Sequence, residues 1–195
     1  AGQVGLAAGT TLVDILAMAA RLRAKHPETP LVLFSYFNVL FNHGLDKLGA
    51  DLKAAGVDGV LVVDLPLEER GEIMPMCEKY GISFIPLVSP ATSPERAAKI
   101  AAGCNGFVYC ITVRGVTGVR SSLPPELAAE LKNAKKACGL PVAAGFGIST
   151  PEMAKGVSAH ADAIVVGSAM VSKVLNEGPD AAVKLIADIA LGMHS

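Results

Sequence analysis

Several chemistries are excluded because this sequence lacks the residues that run them. No Cys-x-x-Cys pair occurs, and no histidine stands at zinc-finger distance from Cys77, Cys104, Cys110 or Cys138. Thiols without metal or redox spacing read as reduced, mostly buried side chains of a cytoplasmic protein. His26, His43, His160 and His194 fall in or beside helices and turns rather than among Asp and Glu, so no metal site is expected. The dinucleotide fingerprint Gly-x-Gly-x-x-Gly and the nucleophile elbow Gly-x-Ser-x-Gly are both absent. A Schiff-base aldolase needs a lysine at a strand end. Here the strand ends carry Tyr36, Asp64, Thr112, Gly145 and Gly167, whereas Lys53, Lys99 and Lys173 fall on helices. Charge of one sign is missing too: 17 Lys and Arg against 18 Asp and Glu leave a formal net charge of -1. Nothing draws the chain to nucleic acid or to an anionic membrane, and any anion must be held by local groups. No apolar run reaches membrane-spanning length, and no basic-then-apolar leader precedes Leu12.

What is present is a core-forming alternation of strands and helices. With 51% hydrophobic and 18% charged residues, 195 residues can bury one sizeable core, and residues 1–195 read as a single domain. Thr11 and Asp14 form a capping box ahead of the apolar stripe Leu12, Ile15, Leu16, Ala19 and Leu22. Leu31 to Ser35 has strand length, and Tyr36-Phe37-Asn38 is expected to open a loop before a helix carrying Leu45, Leu48 and Leu52. Gly59 to Asp64 is a β-branched run of the kind found in strands covered on both faces. A helix through Ile73 and Cys77 to Tyr80 precedes a strand expected over Ile82 to Val88, and Thr92 is expected to cap the helix that follows. Gly106 to Ile111 reads as a strand, Glu126 to Cys138 as a helix, and Pro179 to Met193 as a closing helix. The long connection Thr112 to Pro125, with Arg114-Gly115-Val116-Thr117-Gly118, has the length of a functional lid.

Six strand-helix units in this order imply right-handed crossovers and a parallel sheet with helices outside. The fold class expected is α/β, a (β/α)8 TIM barrel with about six of its units present. The shortfall matches the first two strands, so the domain reads as incomplete at its N-terminus.

The most informative stretch is Pro141 to Thr150, followed by Ala163 to Ala169. Each part reads as a short buried strand that ends in glycine and turns directly into a helix. Two such turns side by side gather glycine N–H groups and helix N-termini around one point, which suits a phosphate. Gly147, Gly167 and Ser168 are the expected donors, in the place where eight-stranded barrels hold phosphate.

Ser35-Tyr36-Phe37-Asn38, Phe41-Asn42-His43-Gly44, Val62-Val63-Asp64-Leu65-Pro66-Leu67-Glu68-Glu69, Arg114 to Gly118, Gly145-Phe146-Gly147-Ile148-Ser149 and Gly167-Ser168-Ala169 together resemble the tryptophan synthase alpha chain family, in order and spacing along nearly the whole chain. The resemblance implies a lyase of tryptophan biosynthesis that cleaves indole-3-glycerol phosphate to indole and glyceraldehyde 3-phosphate. It also implies a tryptophan synthase beta chain as partner in an alpha2-beta2 tetramer. No cofactor is implied for this chain, since PLP belongs to the beta chain. Carried over by position, phosphate falls to Gly118, Gly147, Gly167 and Ser168, and the indole wall to Phe34, Leu61, Tyr109, Phe146 and Val165. Tyr36 falls beside the glycerol chain, and Thr117 on the lid. Asn38, Asp64 and Pro66 fall on the partner-facing surface. The family's catalytic Glu and Asp fall ahead of Ala1, so no catalytic residue is assigned within the chain, which alone is expected to be weak or inactive. Asp64 reads as a helix cap rather than a substitute base. Two alternatives stay open: another phosphate-binding barrel enzyme, against which Arg114 to Gly118 speaks, and a non-catalytic chain that binds or activates a beta-type partner.

Overall fold

Capping residues and apolar stripes set the elements, beginning with the Thr11 box. Asp14 N–H donates to Thr11 Oγ1 at 3.3 Å, and Thr11 N–H to Asp14 Oδ2 at 2.8 Å, which starts helix α2, Leu12–Lys25. The computed structural model describes residues 2–89, 91–111, 125–145 and 147–193. They fall into two compact units: residues 1–86 with 104–106, and residues 87–103 with 107–195.

The first unit holds α1 (Gly2–Ala7), α2, β1 (Val32–Ser35), α3 (Phe37–His43), α4 (Leu45–Ala54), β2 (Gly59–Val62), a 3-10 turn (Arg70–Glu72), α5 (Met74–Tyr80) and β3 (Ser83–Phe84). Its three strands form a parallel sheet in the order β1-β2-β3, with Phe34 opposite Leu61 and Val60 opposite Phe84. Every residue of β2 is buried, as a β-branched central strand requires. Leu40, Leu48, Leu52, Val60 and Ile73 are fully enclosed in the core of this unit. Gly49 is buried in α4, and a Cβ there would lie 2.1 Å from the Tyr80 ring, so glycine lets α5 pack closely.

The second unit holds β4 (Leu87–Val88), α6 (Pro94–Ala101), β5 (Val108–Ile111), α7 (Pro125–Cys138), β6 (Val142–Gly145), α8 (Pro151–Ser158), β7 (Ala163–Ile164), α9 (Ser168–Glu177) and α10 (Pro179–Met193). Its sheet is parallel in the order β4-β5-β6-β7. Val88, Val108, Leu131, Val142, Ile148 and Val157 fill a separate core.

Each unit carries the same staple at the amino ends of its strands. Asp58, just before β2, accepts the Leu31 N–H at 2.7 Å and pairs with Arg23 of α2 at 2.5 Å. Asp162, just before β7, accepts the Val142 N–H at 2.9 Å and pairs with Lys135 of α7 at 2.5 Å. One carboxylate thus ties the starts of two neighbouring strands to a helix of the same unit.

Five local expectations are corrected. Residues 37–43 are helical rather than a loop, because Asp64 Oδ1 accepts the Phe37 N–H at 2.7 Å and Leu40 is buried. The strand expected over residues 82–88 divides into β3 and β4, which belong to different sheets. Pro86 stands between them and has no N–H to continue a ladder. The cap of α6 is Ser93, which accepts the Arg96 N–H at 3.3 Å, while Thr92 Oγ1 accepts the Ser89 N–H at 3.1 Å. β7 is not buried: Ala163 is exposed and Ile164 half-buried in a two-residue strand that pairs only with β6 among the described residues. Helix α1 was not anticipated, since it has neither an acidic first turn nor a basic last turn.

Candidate active site

β6 and β7 run side by side, with Ala143 opposite Ala163 and Ala144 opposite Ile164. The Val165 N–H donates to the Ala144 carbonyl at 2.8 Å, so the chain leaves both strands at the same end of the sheet. After β6 the backbone reaches Gly147 at φ +67, a left-handed conformation that favours glycine, and Gly147 is exposed. Ile148 turns inward and is only 1% exposed, which anchors the turn. Thr150 then caps α8, accepting the Met153 N–H at 3.3 Å. The Glu152 carboxyl is held below its ordinary range, first by its own N–H and then by the Thr150 hydroxyl.

The turn after β7 is chemically different. Gly167 is the N-cap of α9 and has no side chain to cap with, and the first turn of α9 contains no acidic residue. The first intrahelical bond runs from the Val171 N–H to the Gly167 carbonyl at 3.0 Å. The opening N–H groups of α9 therefore have no side-chain acceptor supplied by their own cap, and the positive end of the helix dipole is exposed at Gly167 and Ser168. Such an end binds an anion without a charged side chain.

Tyr109 of β5 lies against Gly145, the last residue of β6. A Cβ at Gly145 would stand 2.3 Å from the Tyr109 hydroxyl oxygen and 2.6 Å from two ring carbons, so a side chain there would displace the outer end of the Tyr109 ring. Burial raises the Tyr109 hydroxyl above its usual range. Val165 is half-buried just past β7. Gly147, Val165, Gly167, Ser168 and Tyr109 thus all belong to the second unit, the first four past the carboxyl ends of β6 and β7.

The other residues singled out from the sequence lie in the first unit. Phe34 and Tyr36, at the end of β1, are 59% and 62% exposed, whereas Leu61 of β2 is buried. Asn38, Asp64 and Pro66 are exposed. Asp64 is a helix cap as expected, but of α3, whose chain precedes it by 27 residues, rather than of the helix that follows it. Thr117, Gly118 and Phe146 lie outside the described residues. Burial pushes the thiols of Cys77 and Cys110 up to about 12 and about 11, so neither is a nucleophile near neutral pH.

Sequence reasoning missed Gly192. It is buried near the end of α10, and a Cβ there would meet the Pro151 carbonyl oxygen at 2.5 Å. A lone glycine late in an apolar helix was the available signal, since such a glycine costs about 1 kcal/mol against alanine unless packing requires it.

Residues 1–192 match the tryptophan synthase alpha chain family. The chain belongs to that family. It is 40% identical over 193 residues to the tryptophan synthase alpha chain of Novosphingobium aromaticivorans, covering 97% of this chain and 73% of the relative. Against the alpha chain of Geobacter sulfurreducens it is 46% identical over 166 residues, covering 85% of this chain and 62% of the relative. The chain thus spans less than two thirds of the Geobacter relative's length. Its structure superposes on the crystal structure of a Legionella pneumophila tryptophan synthase alpha chain with a TM-score of 0.87 at 32% identity, over 97% of this chain and 72% of that one. A structure from the tryptophan synthase a2b2 complex of Pyrococcus furiosus gives a TM-score of 0.86 at 34% identity, over 97% of this chain and 77% of that one. The fold is therefore the α/β TIM-barrel type expected from the sequence, with part of the eight strand-helix units present.

Proposed function

We propose that this tryptophan synthase alpha family chain binds indole-3-glycerol phosphate, the substrate of a retro-aldol cleavage to indole and glyceraldehyde 3-phosphate. The observation that carries the reading is the pair of adjacent turns after β6 and β7: a left-handed Gly147 and an uncapped α9 start at Gly167 and Ser168. Phosphate sits there, and the family resemblance assigns Gly118 and Thr117, which lie outside the described residues, to the same ligand. By family resemblance the indole ring is assigned to Phe34, Leu61, Tyr109, Phe146 and Val165, and the glycerol chain to Tyr36. Residues 1–195 act as one phosphate-binding domain in the cytoplasm. Among the described residues no helix is long and apolar enough to cross a membrane.

Cleavage breaks the bond between the indole C3 and the glycerol carbon, moves the hydroxyl proton off as the carbonyl forms, and returns a proton to C3. Both transfers need positioned acid/base groups, typically worth about 10²–10⁴-fold. Asp64 is, in sequence, the carboxylate nearest the carboxyl end of a strand among the described residues, and its Oδ1 already accepts the Phe37 N–H. We therefore assign the proton transfers to no carboxylate of the described residues, and the chain alone to weak turnover. Asn38, Asp64 and Pro66 face a tryptophan synthase beta chain, which receives the indole and carries PLP; this chain needs no cofactor of its own.

Indole release from the purified chain, with and without a beta chain, is expected to be far below that of a full-length relative. A rate equal to the relative's would place the acid/base group within these residues. Replacing Gly147 with valine is expected to weaken a substrate-like phosphate ligand at least tenfold, about 1.4 kcal/mol by calorimetry. Unchanged affinity would remove Gly147 from the site. A chain that binds the beta partner yet shows no affinity for indole phosphates would favour the non-catalytic alternative.

A further inference from the structure

α10 packs against both α8 and α9, the two helices that begin at the candidate anion cup. Against α8 the approach is as close as backbone allows. A Cβ at Gly192 would stand 2.5 Å from the Pro151 carbonyl oxygen, 2.8 Å from its Cα and 2.9 Å from its carbonyl carbon. These are main-chain atoms of the first residue of α8, which cannot rotate aside as a side chain would. Ile189, one turn earlier in α10, is 2% exposed and shares a core cluster with Met153, Ala154 and Val157 of α8 and with Ile148 of the turn. Leu185 and Met193 pack against the same cluster.

Gly147 lies four residues before Pro151, with Ile148 fixed in the core and Thr150 fixed as the cap of α8. So short and so anchored a segment passes a shift of Pro151 on to Gly147. The opposite half of the cup, Gly167 and Ser168, begins α9, which α10 also contacts. We infer that α10 is the clamp that sets the spacing of the two halves of the anion cup, and that Gly192 is a positioning residue whose missing side chain sets that spacing. The inference rests on the phosphate reading given above. Its distinct content is that a residue at the far end of the chain, with no side chain to offer a ligand, governs phosphate affinity.

The test uses the whole chain and inorganic phosphate, followed at the backbone amides of Gly147, Gly167 and Ser168 by NMR. Two variants are compared with the parent: Gly192→Ala, which forces α10 and Pro151 apart, and Val88→Ala, which weakens the same core from β4, a strand that pairs with β5 and carries none of the cup residues. Gly192→Ala is expected to lower phosphate affinity at least about tenfold, since displacements near 1 Å cost factors of that order or more at preorganised sites. Val88→Ala is expected to lower the melting temperature while leaving affinity within about twofold of the parent. Parent-like affinity in Gly192→Ala overturns the clamp and leaves the cup standing. Affinity losses that track melting temperature in both variants show a merely structural role and overturn it as well. Absence of phosphate-dependent shifts at the three amides in the parent removes the cup, and the clamp with it.

A second measurement needs no variant and so survives if Gly192→Ala does not fold. Coupling between sites is reciprocal. If α10 sets the cup, saturating phosphate must slow amide exchange in residues 189–193 of the parent. Exchange there that is unaffected by phosphate bound at Gly147 and Gly167 overturns the clamp.

Discussion

Asp162 and Asp58 show how one side chain can decide whether two strands and a helix stay together. Asp162 receives a half-exposed Lys135 ammonium and the N–H of Val142, the first residue of β6. The lysine, and next the Val142 N–H, hold its carboxyl below the ordinary range. The ion pair itself contributes little, because exposed pairs contribute about 0–1 kcal/mol. The larger effect is on the Val142 N–H, which loses its acceptor if the carboxylate goes, at about 1–3 kcal/mol. Asp162→Ala is therefore expected to destabilise the chain by about 1–2 kcal/mol in urea unfolding, most of it insensitive to salt. A folded-state pKa below the unfolded one contributes stability above the ordinary carboxylate value, and that contribution is lost as pH falls through the folded value. The parent's acid limb, below the ordinary carboxylate range, should accordingly be steeper than that of Asp162→Ala. Superimposable acid limbs would mean that Asp162 is equally paired when unfolded.

Helices announced by neighbouring residues were legible, and helices started by distant ones were not. Thr11 with Asp14, and Thr150 ahead of Pro151, carry their caps within three residues, and both α2 and α8 begin where the sequence puts them. α3 has no such signal. Its first N–H is held by Asp64, 27 residues later, and its Phe37 and Phe41 rings lie 5.6 Å apart one turn from each other. A local reading sees only aromatic residues after a strand and predicts a loop. Pro86 was visible in the sequence, but that it divides two sheets depends on which strands flank it in space. The glycines of the candidate cup were legible as a motif, whereas Gly192 acquires its meaning only from Pro151, which is 41 residues earlier and lies on another helix. Asp64→Ala tests the long-range cap directly. It is expected to cost about 1 kcal/mol, as loss of a helix N-cap does, and to raise amide exchange across residues 37–43. Turnover per folded molecule, measured without a beta chain, is expected to stay at the parent's level. A fall of about 100-fold or more with the fold intact would make Asp64 a proton-transfer group instead.

At the scale of the chain, the two cores are filled by different residues. Val60, Ile73 and Phe84 belong to one cluster and Val108, Leu131 and Val142 to the other, with no buried residue in both. The candidate phosphate donors Gly147, Gly167 and Ser168 all lie in the second unit. A ligand that binds only the folded form stabilises whatever must unfold to release it, by about 2.7 kcal/mol at 100 times its dissociation constant. Inorganic phosphate at that concentration is therefore expected to slow the most protected amides of β5 and β6 by roughly 100-fold. The amides of β2 are expected to respond less, because the core that protects them can open without dissolving the cup. Native-state hydrogen exchange across residues 59–62, 108–111 and 142–145, with and without phosphate, reads both responses in one experiment. Equal slowing of all three strands would show that the chain opens as one cooperative body despite its two cores. Slowing confined to β2 would place the anion outside the second unit, and with it the candidate cup.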